Sequence, residues 1–162
     1  MVELIKKASD DELAFEKLMN QYLQDIYNYI SFKVNNSADV KDITQDVMLA
    51  IFKGIKNYKS SSSFKTWILA ITRRKVADYY RKKYAEGSTV PIENYSHLAA
   101  NDNKNINDII SDLSINDQEL LNLVFIHGCT YKEVSKIINV PVGTIKSRMH
   151  YLKIKLKPRL ME

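Results

Sequence analysis

A single cysteine, Cys129, excludes a disulfide framework and any zinc or iron–sulfur site built on several cysteines. The three histidines, His97, His127 and His150, are scattered without metal-ligand spacing, so no metal site is expected. Four glycines and three prolines leave little material for glycine-rich phosphate loops or many hairpin turns. No apolar run approaches the roughly 18 residues of a membrane span. The opening MVELIKKASDDEL also lacks the apolar core of a signal peptide. What remains is a globular balance, 45% hydrophobic and 27% charged, in 162 residues that suit one medium or two small domains. The expectation is a soluble, cytoplasmic, mainly helical protein with no cofactor and no membrane insertion of its own.

Charge is segmented. Residues 1–83 carry 15 basic and 10 acidic side chains, residues 84–111 carry 1 and 4, and residues 112–162 carry 8 and 5. Two basic blocks thus flank an acidic, polar middle within an overall net charge of +5. That sum is modest evidence for a polyanionic partner, and its distribution says more.

Ser9 and Glu12 have capping-box spacing, and behind them Leu18, Tyr22, Ile26 and Ile30 recur every four residues, predicting one helix to about Val34. Ser37 is positioned to cap a second helix, whose apolar stripe is Val40, Ile43, Val47, Ala50 and Ile51 and which runs out near Gly54. A serine-rich loop precedes a third helix from Phe64 to about Lys83, capped by Ser62 or Ser63. From Tyr84 to about Asn105 the pattern dissolves into turn formers and asparagine, the composition of a flexible tether. Helical spacing returns at Ile106, Ile109, Ile110 and Leu113, then at Leu120, Leu121, Val124 and Phe125 behind a cap at Asn116. The predicted fold is all-α: two small helical domains, 1–83 and 106–162, joined by an acidic linker over 84–105.

The most informative stretch is 130–150. Thr130 and Glu133 form a capping box, Ser135 is small where a second helix must approach, and Asn139 tolerates a left-handed turn. The next helix, from about Val142, gathers Ile145, Met149, Leu152 and Leu156 on one arc. Ser147, His150 and Tyr151 point away from that arc, with Lys146 and Arg148 on its flanks and Lys153, Lys155, Lys157 and Arg159 following. These are the parts of a helix-turn-helix that enters the major groove, where Lys146 and Arg148 reach phosphates or bases and Ser147 and His150 meet base edges. The plainer alternative is a helical hairpin with a merely solvated outer face.

The third helix carries Lys65, Arg73, Arg74, Lys75, Arg81, Lys82 and Lys83 against one carboxylate, Asp78, with Trp67, Tyr79 and Tyr80 interleaved. Cations among aromatics suit single-stranded nucleic acid. Helical spacing with Phe64, Ile68 and Ile71 favours core packing for Trp67, and Tyr79 also reads as core. On the second helix Asp39, Asp42 and Asp46, with Gln45 beside them, form an acidic ridge: a solvated face by default, or a docking surface for a basic protein. Three aspartates on one helix with no histidine nearby are a poor metal site.

Asp42-Ile-Thr-Gln-Asp46, Phe64-Lys-Thr-Trp-Ile68, Ile71-Thr-Arg-Arg-Lys-Val-Ala-Asp78 and Arg81 together resemble region 2 of bacterial extracytoplasmic-function (ECF) sigma factors. Gly143-Thr-Ile-Lys-Ser-Arg148 resembles the recognition helix of their region 4. The resemblance covers about residues 10–83 and 106–157. It implies a protein that is not an enzyme, binds core RNA polymerase and directs it to promoters. By the same resemblance Tyr58, Lys59, Ser60, Ser61, Ser62 and Ser63 form a loop that captures a flipped base of the −10 element. Lys65, Arg73, Arg74 and Arg81 would guide the melted strand. The −35 surface comprises Thr144, Lys146, Ser147, Arg148, His150, Tyr151 and Lys153. Asp42, Gln45, Asp46 and Leu49 dock on the polymerase β′ coiled coil, region 4 meets the β flap, and an anti-sigma factor masks the free protein. Three positions depart from the family pattern: Arg74 stands in place of asparagine, Pro141 in place of a polar helix cap, and Tyr151 in place of arginine. The alternative from another class is a stand-alone helix-turn-helix regulator with a helical sensing or dimerisation domain.

Overall fold

The computed structural model describes residues 1–87 and 109–160, and the chain divides into two compact units, Met1–Val90 and Pro91–Glu162. Every regular element among the described residues is helical.

In the first unit, α1 spans Val2–Ala8, α2 Glu12–Met19, α3 Leu23–Lys33, α4 Ser37–Gly54 and α5 Phe64–Ala85. The start of the chain differs most from the predicted pattern, with α1, α2 and α3 where one helix was expected. Ser9 does not open a helix; it ends α1, its hydroxyl donating to the Lys6 carbonyl at 2.7 Å. Asp11 is the true N-cap of α2, accepting from the amides of Leu13 (3.0 Å) and Ala14 (3.3 Å). The long first helix is also broken. Gln21 and Tyr22 donate to carbonyls three residues back, a tighter turn that lets α2 and α3 take separate directions while Leu18, Met19, Ile26 and Ile30 all stay buried. A four-residue apolar spacing can cross such a turn unbroken, which is why periodicity alone missed it.

The cap of α4 is Asn36 rather than Ser37, its side chain accepting from the Asp39 amide at 3.0 Å. Val40, Ile43, Val47 and Ile51 are buried as expected, and Ala50 is half-buried. At the end of α4 the chain makes a 3-10 turn, Ile55–Asn57, and then the serine loop. Ser63 caps α5 by accepting from the Thr66 amide at 3.1 Å. Phe64, Ile68, Leu69, Thr72 and Val76 bury the inner face of α5 against α3 and α4. The helix continues past the expected end at Lys83 through Tyr84 and Ala85, and Gly87, at φ 74°, turns the chain out of it. The rest of the expected tether, from residue 88, lies outside the described residues, as does Ile106.

In the second unit, Ile109–Ser111 is helical, α6 spans Ile115–Leu121, α7 Tyr131–Ile138 and α8 Val142–Leu160. Ser114, not Asn116, caps α6, accepting from the Asp117 amide at 3.2 Å. After Leu121 the chain takes a π turn over Asn122–Ile126, with the His127 amide donating to the Asn122 carbonyl at 3.1 Å. That shift of phase buries Leu123 and turns Phe125 outward, 64% exposed, against the expected stripe. The capping box of α7 is present in full: the Thr130 amide donates to Glu133 (2.8 Å) and the Glu133 amide to Thr130 (3.3 Å). Asn139 takes φ 56°, ψ 50°, the left-handed turn expected of it. Ser135 fixes the same turn, its hydroxyl donating to the Val140 carbonyl at 2.6 Å.

Asn139→Val should destabilise the second unit by about 1–2 kcal/mol, the cost of forcing a branched residue left-handed, whereas Asn139→Gly should be nearly neutral. Urea melts followed by the amide resonances of α7 and α8 measure both.

Candidate nucleic-acid interface

In the second unit, Ile145, Met149 and Leu152 are at most 1% exposed and seat α8 on the helices beneath it. At 100° per residue this burial forces the intervening positions outward. Thr144, Lys146, Ser147, His150, Tyr151 and Lys153 are accordingly exposed, while Arg148 is half-buried on the flank. Pro141 precedes α8, and its carbonyl accepts from the Ile145 amide at 3.1 Å. The helix thus starts without a side-chain cap at that residue, as proline's fixed φ allows. Ser147 donates to the Gly143 carbonyl at 3.0 Å.

In the first unit four rings gather at the start of α5. Phe64 stacks on Trp67 (centroids 5.5 Å apart, 27°) and meets Tyr22 and Tyr58 edge-on at 5.4 and 5.2 Å. Trp67 is half-buried and lies against Gly54, where a Cβ would sit only 3.3 Å from its ring; the glycine is what lets the indole in. It thus packs on Gly54, Tyr58 and Phe64 at the edge of the core rather than within it, short of the core position that spacing suggested. The Tyr58 hydroxyl donates to the Ser62 carbonyl at 2.5 Å and closes the serine loop on itself. Lys59, Ser60, Ser61 and Ser63 are exposed along that loop, and Ser62 is half-buried.

The expected cations are less uniform than their spacing implies. Arg74 is exposed and Arg73 half-buried. Lys65 pairs with Asp25 at 3.1 Å, Arg81 with Asp78, and Lys83 with Asp39 at 3.1 Å. Each of these cations keeps at least a third of its side chain in solvent, where a phosphate can compete with the carboxylate.

The acidic ridge is divided. Asp42, Gln45, Asp46 and Leu49 are all exposed, with Leu49 at 51%. Asp42 and Asp46 border a groove of about 420 Å³ whose other wall carries Lys75 and Lys82 of α5, while Gln45 faces a second groove beside Leu23 and Tyr27. Asp39 belongs to the scaffold. It accepts from the Tyr79 hydroxyl at 2.6 Å and from Lys83, and the Tyr79 bond first of all lowers its pKa below the usual carboxylate value. Tyr79 of α5 is thereby tied to α4, and Tyr80 donates to the Lys33 carbonyl at the end of α3. No cluster of metal-ligating residues occurs among the described residues.

The sequence reading missed α1 and the position of Tyr22, which together border the serine loop. Val2, Ile5 and Ala8, spaced by three, carried the signal of that helix, and Ile5 and Ala8 are buried.

Two family profiles match this chain, Sigma-70 region 2 over residues 18–86 and Sigma-70 region 4 over residues 104–156. The chain belongs to the sigma-70 family. The ECF RNA polymerase sigma factor SigC of Mycobacterium tuberculosis is 27% identical over 153 residues, covering 90% of this chain and 82% of the relative. SigZ, an RNA polymerase sigma factor of Bacillus subtilis, is 28% identical over 151 residues, covering 90% and 86%. The fold matches the sigma factor RpoE of Bartonella quintana, solved with the anti-sigma factor NepR, at a TM-score of 0.71 and 20% identity over 91% of this chain and 96% of that one. Two sigma regions in this order make the chain a transcription initiation factor, and a stand-alone regulator is set aside. No described helix of this sigma factor is long and apolar enough to cross a membrane.

Because the folded pKa of Asp39 is depressed, its stabilisation is complete above the ordinary carboxylate value of about 3.9 and is lost as pH falls through the lower folded value. Wild type should therefore lose more stability than Asp39→Asn between pH 5 and 2. Urea midpoints across that range, with the carboxyl titration of Asp39 by NMR, check the sign.

Proposed function

We propose that region 4 of this sigma factor reads the −35 element as duplex, with α8 in the major groove. The observation that carries this reading is the roll of α8: burial of Ile145, Met149 and Leu152 presents Thr144, Lys146, Ser147, His150, Tyr151 and Lys153 together on the free face. Tyr151, 61% exposed where the family pattern has arginine, supplies a ring and a hydroxyl but no charge, so −35 affinity leans on Lys146, Arg148 and Lys153.

Region 2, taken as residues 1–83, holds the −10 element. The loop Tyr58–Ser63 captures an unpaired base, and Lys65, Arg73, Arg74 and Arg81 line the path of the melted strand. Asp42, Gln45, Asp46 and Leu49 dock on the β′ coiled coil of core RNA polymerase, and region 4, residues 106–162, meets the β flap. The acidic linker over 84–105 joins them. The protein works in the cytoplasm and is not an enzyme: catalysis stays with the polymerase. An anti-sigma factor masks the free chain, a reading supported by the exposed Leu49, Phe52 and Phe125.

Run-off transcription with purified core polymerase tests the whole reading. Product should appear only with this protein and should fall steeply with salt, because phosphate neutralisation releases counterions. Lys146→Ala and Arg148→Ala should each weaken promoter binding by about 1–3 kcal/mol where the side chain contacts a base. Undiminished transcription by both variants overturns the assignment of α8. Asp46→Lys should reduce co-purification with core polymerase, and unchanged recovery removes the docking ridge.

A further inference from the structure

Beside the serine loop lies a cavity of about 380 Å³ with Val2 and Lys6 of α1 on one side, Tyr22 and Tyr58 at its walls, and Ser60 and Lys65 across it. The volume falls in the range of roughly 300–1,000 Å³ typical of small-ligand sites. Both tyrosines are half-buried and braced edge-on against Phe64, so their rings are held rather than swinging. The Tyr22 hydroxyl donates to Met1 Sδ at 3.8 Å, tying α1 to the turn between α2 and α3. Buried Ile5 and Ala8 anchor the helix from below, while Val2, 60% exposed, and Lys6 keep their side chains out of the core.

Fixed aromatic walls, the Ser60 hydroxyl, the Lys6 ammonium and a Lys65 ammonium that a phosphate would draw from Asp25 are complementary to one nucleotide out of its stack. The base lies on a ring, polar groups meet its edge and the cations meet its phosphates. An apolar metabolite would leave the serine and the lysines unused. We propose that α1 is a specificity element of the −10 site: Val2 and Lys6 close the pocket in which the Tyr58–Ser63 loop holds an unpaired base. The inference rests on the −10 reading above and adds the wall that decides which base fits.

Val2→Trp fills the cavity from its exposed side, and Lys6→Glu reverses a charge at its rim; neither touches Ile5 or Ala8. Holoenzyme is titrated with single-stranded −10 oligonucleotides made abasic at each position in turn. Wild type should show one position where base loss costs affinity. Val2→Trp should erase that penalty and weaken the intact strand by roughly 5- to 150-fold, the range of one lost base–ring stack. Lys6→Glu should weaken every strand and lower the salt slope by about 1. Core-polymerase affinity and duplex −35 binding should be unchanged in both. If wild type binds the strand and both variants keep its affinity and its abasic penalty, the α1 wall is refuted and the −10 reading stands. If wild-type holoenzyme ignores the strand, the −10 reading itself fails.

Discussion

Ile145, Met149 and Leu152 occupy one arc of α8, and the seam they bury sets the roll of that helix about its own axis. A half-turn error would place lysines in the core and methionine in solvent, so the apolar arc chooses the outer face by exclusion. The same constraint acts on α5. Ile68, Leu69, Thr72 and Val76 face inward, and the helix is long enough that Arg74, Arg81 and Lys82 remain on the outside. Neither helix is strongly amphipathic through hydrophobic content alone; each is polar on most of its surface and held by a narrow stripe.

Turn chemistry converts those stripes into a site. Asn139 accepts the left-handed conformation, Ser135 ties the turn to the Val140 carbonyl, and the Thr130–Glu133 box starts α7 at a fixed residue. In the first unit, Gly54 admits Trp67, Trp67 and Phe64 brace Tyr58, and the Tyr58 hydroxyl shapes the loop. A chain of contacts from a glycine to a loop carbonyl is thus what holds the serines where a nucleotide could meet them. The acidic ridge shows a division of labour along one helix: Asp39 serves α5 through Tyr79, while Asp42 and Asp46 stay exposed.

Much of the candidate site was legible because it rests on helical period and local caps. The burial of Ile145, Met149 and Leu152, a cap at Ser62 or Ser63, the box at Thr130 and the turn at Asn139 all follow from side chains within a few residues of one another, while Leu156, expected on the same arc of α8, is only half-buried. Errors gathered where several local choices compete. Ser9, Ser37 and Asn116 were as plausible for capping as Asp11, Asn36 and Ser114, and only the packed positions of the neighbouring helices select among them. The π turn at Asn122–Ile126 was illegible for the same reason: nothing in its composition announces the shift, which burial of Leu123 requires.

The sequence by itself determined the helical class, the two-region order and which face of α8 is polar, since each depends on periodicity or on residues close in the chain. Tertiary structure alone decided that α1 closes a cavity beside the serine loop, that Asp39 is spent on Tyr79 and Lys83, and that Lys65 already holds Asp25. Those facts join residues some 20 to 60 positions apart for the cavity and Asp39, and for Lys65 and Asp25. Distances across a fold are set by the packing of whole helices, which no local spacing encodes.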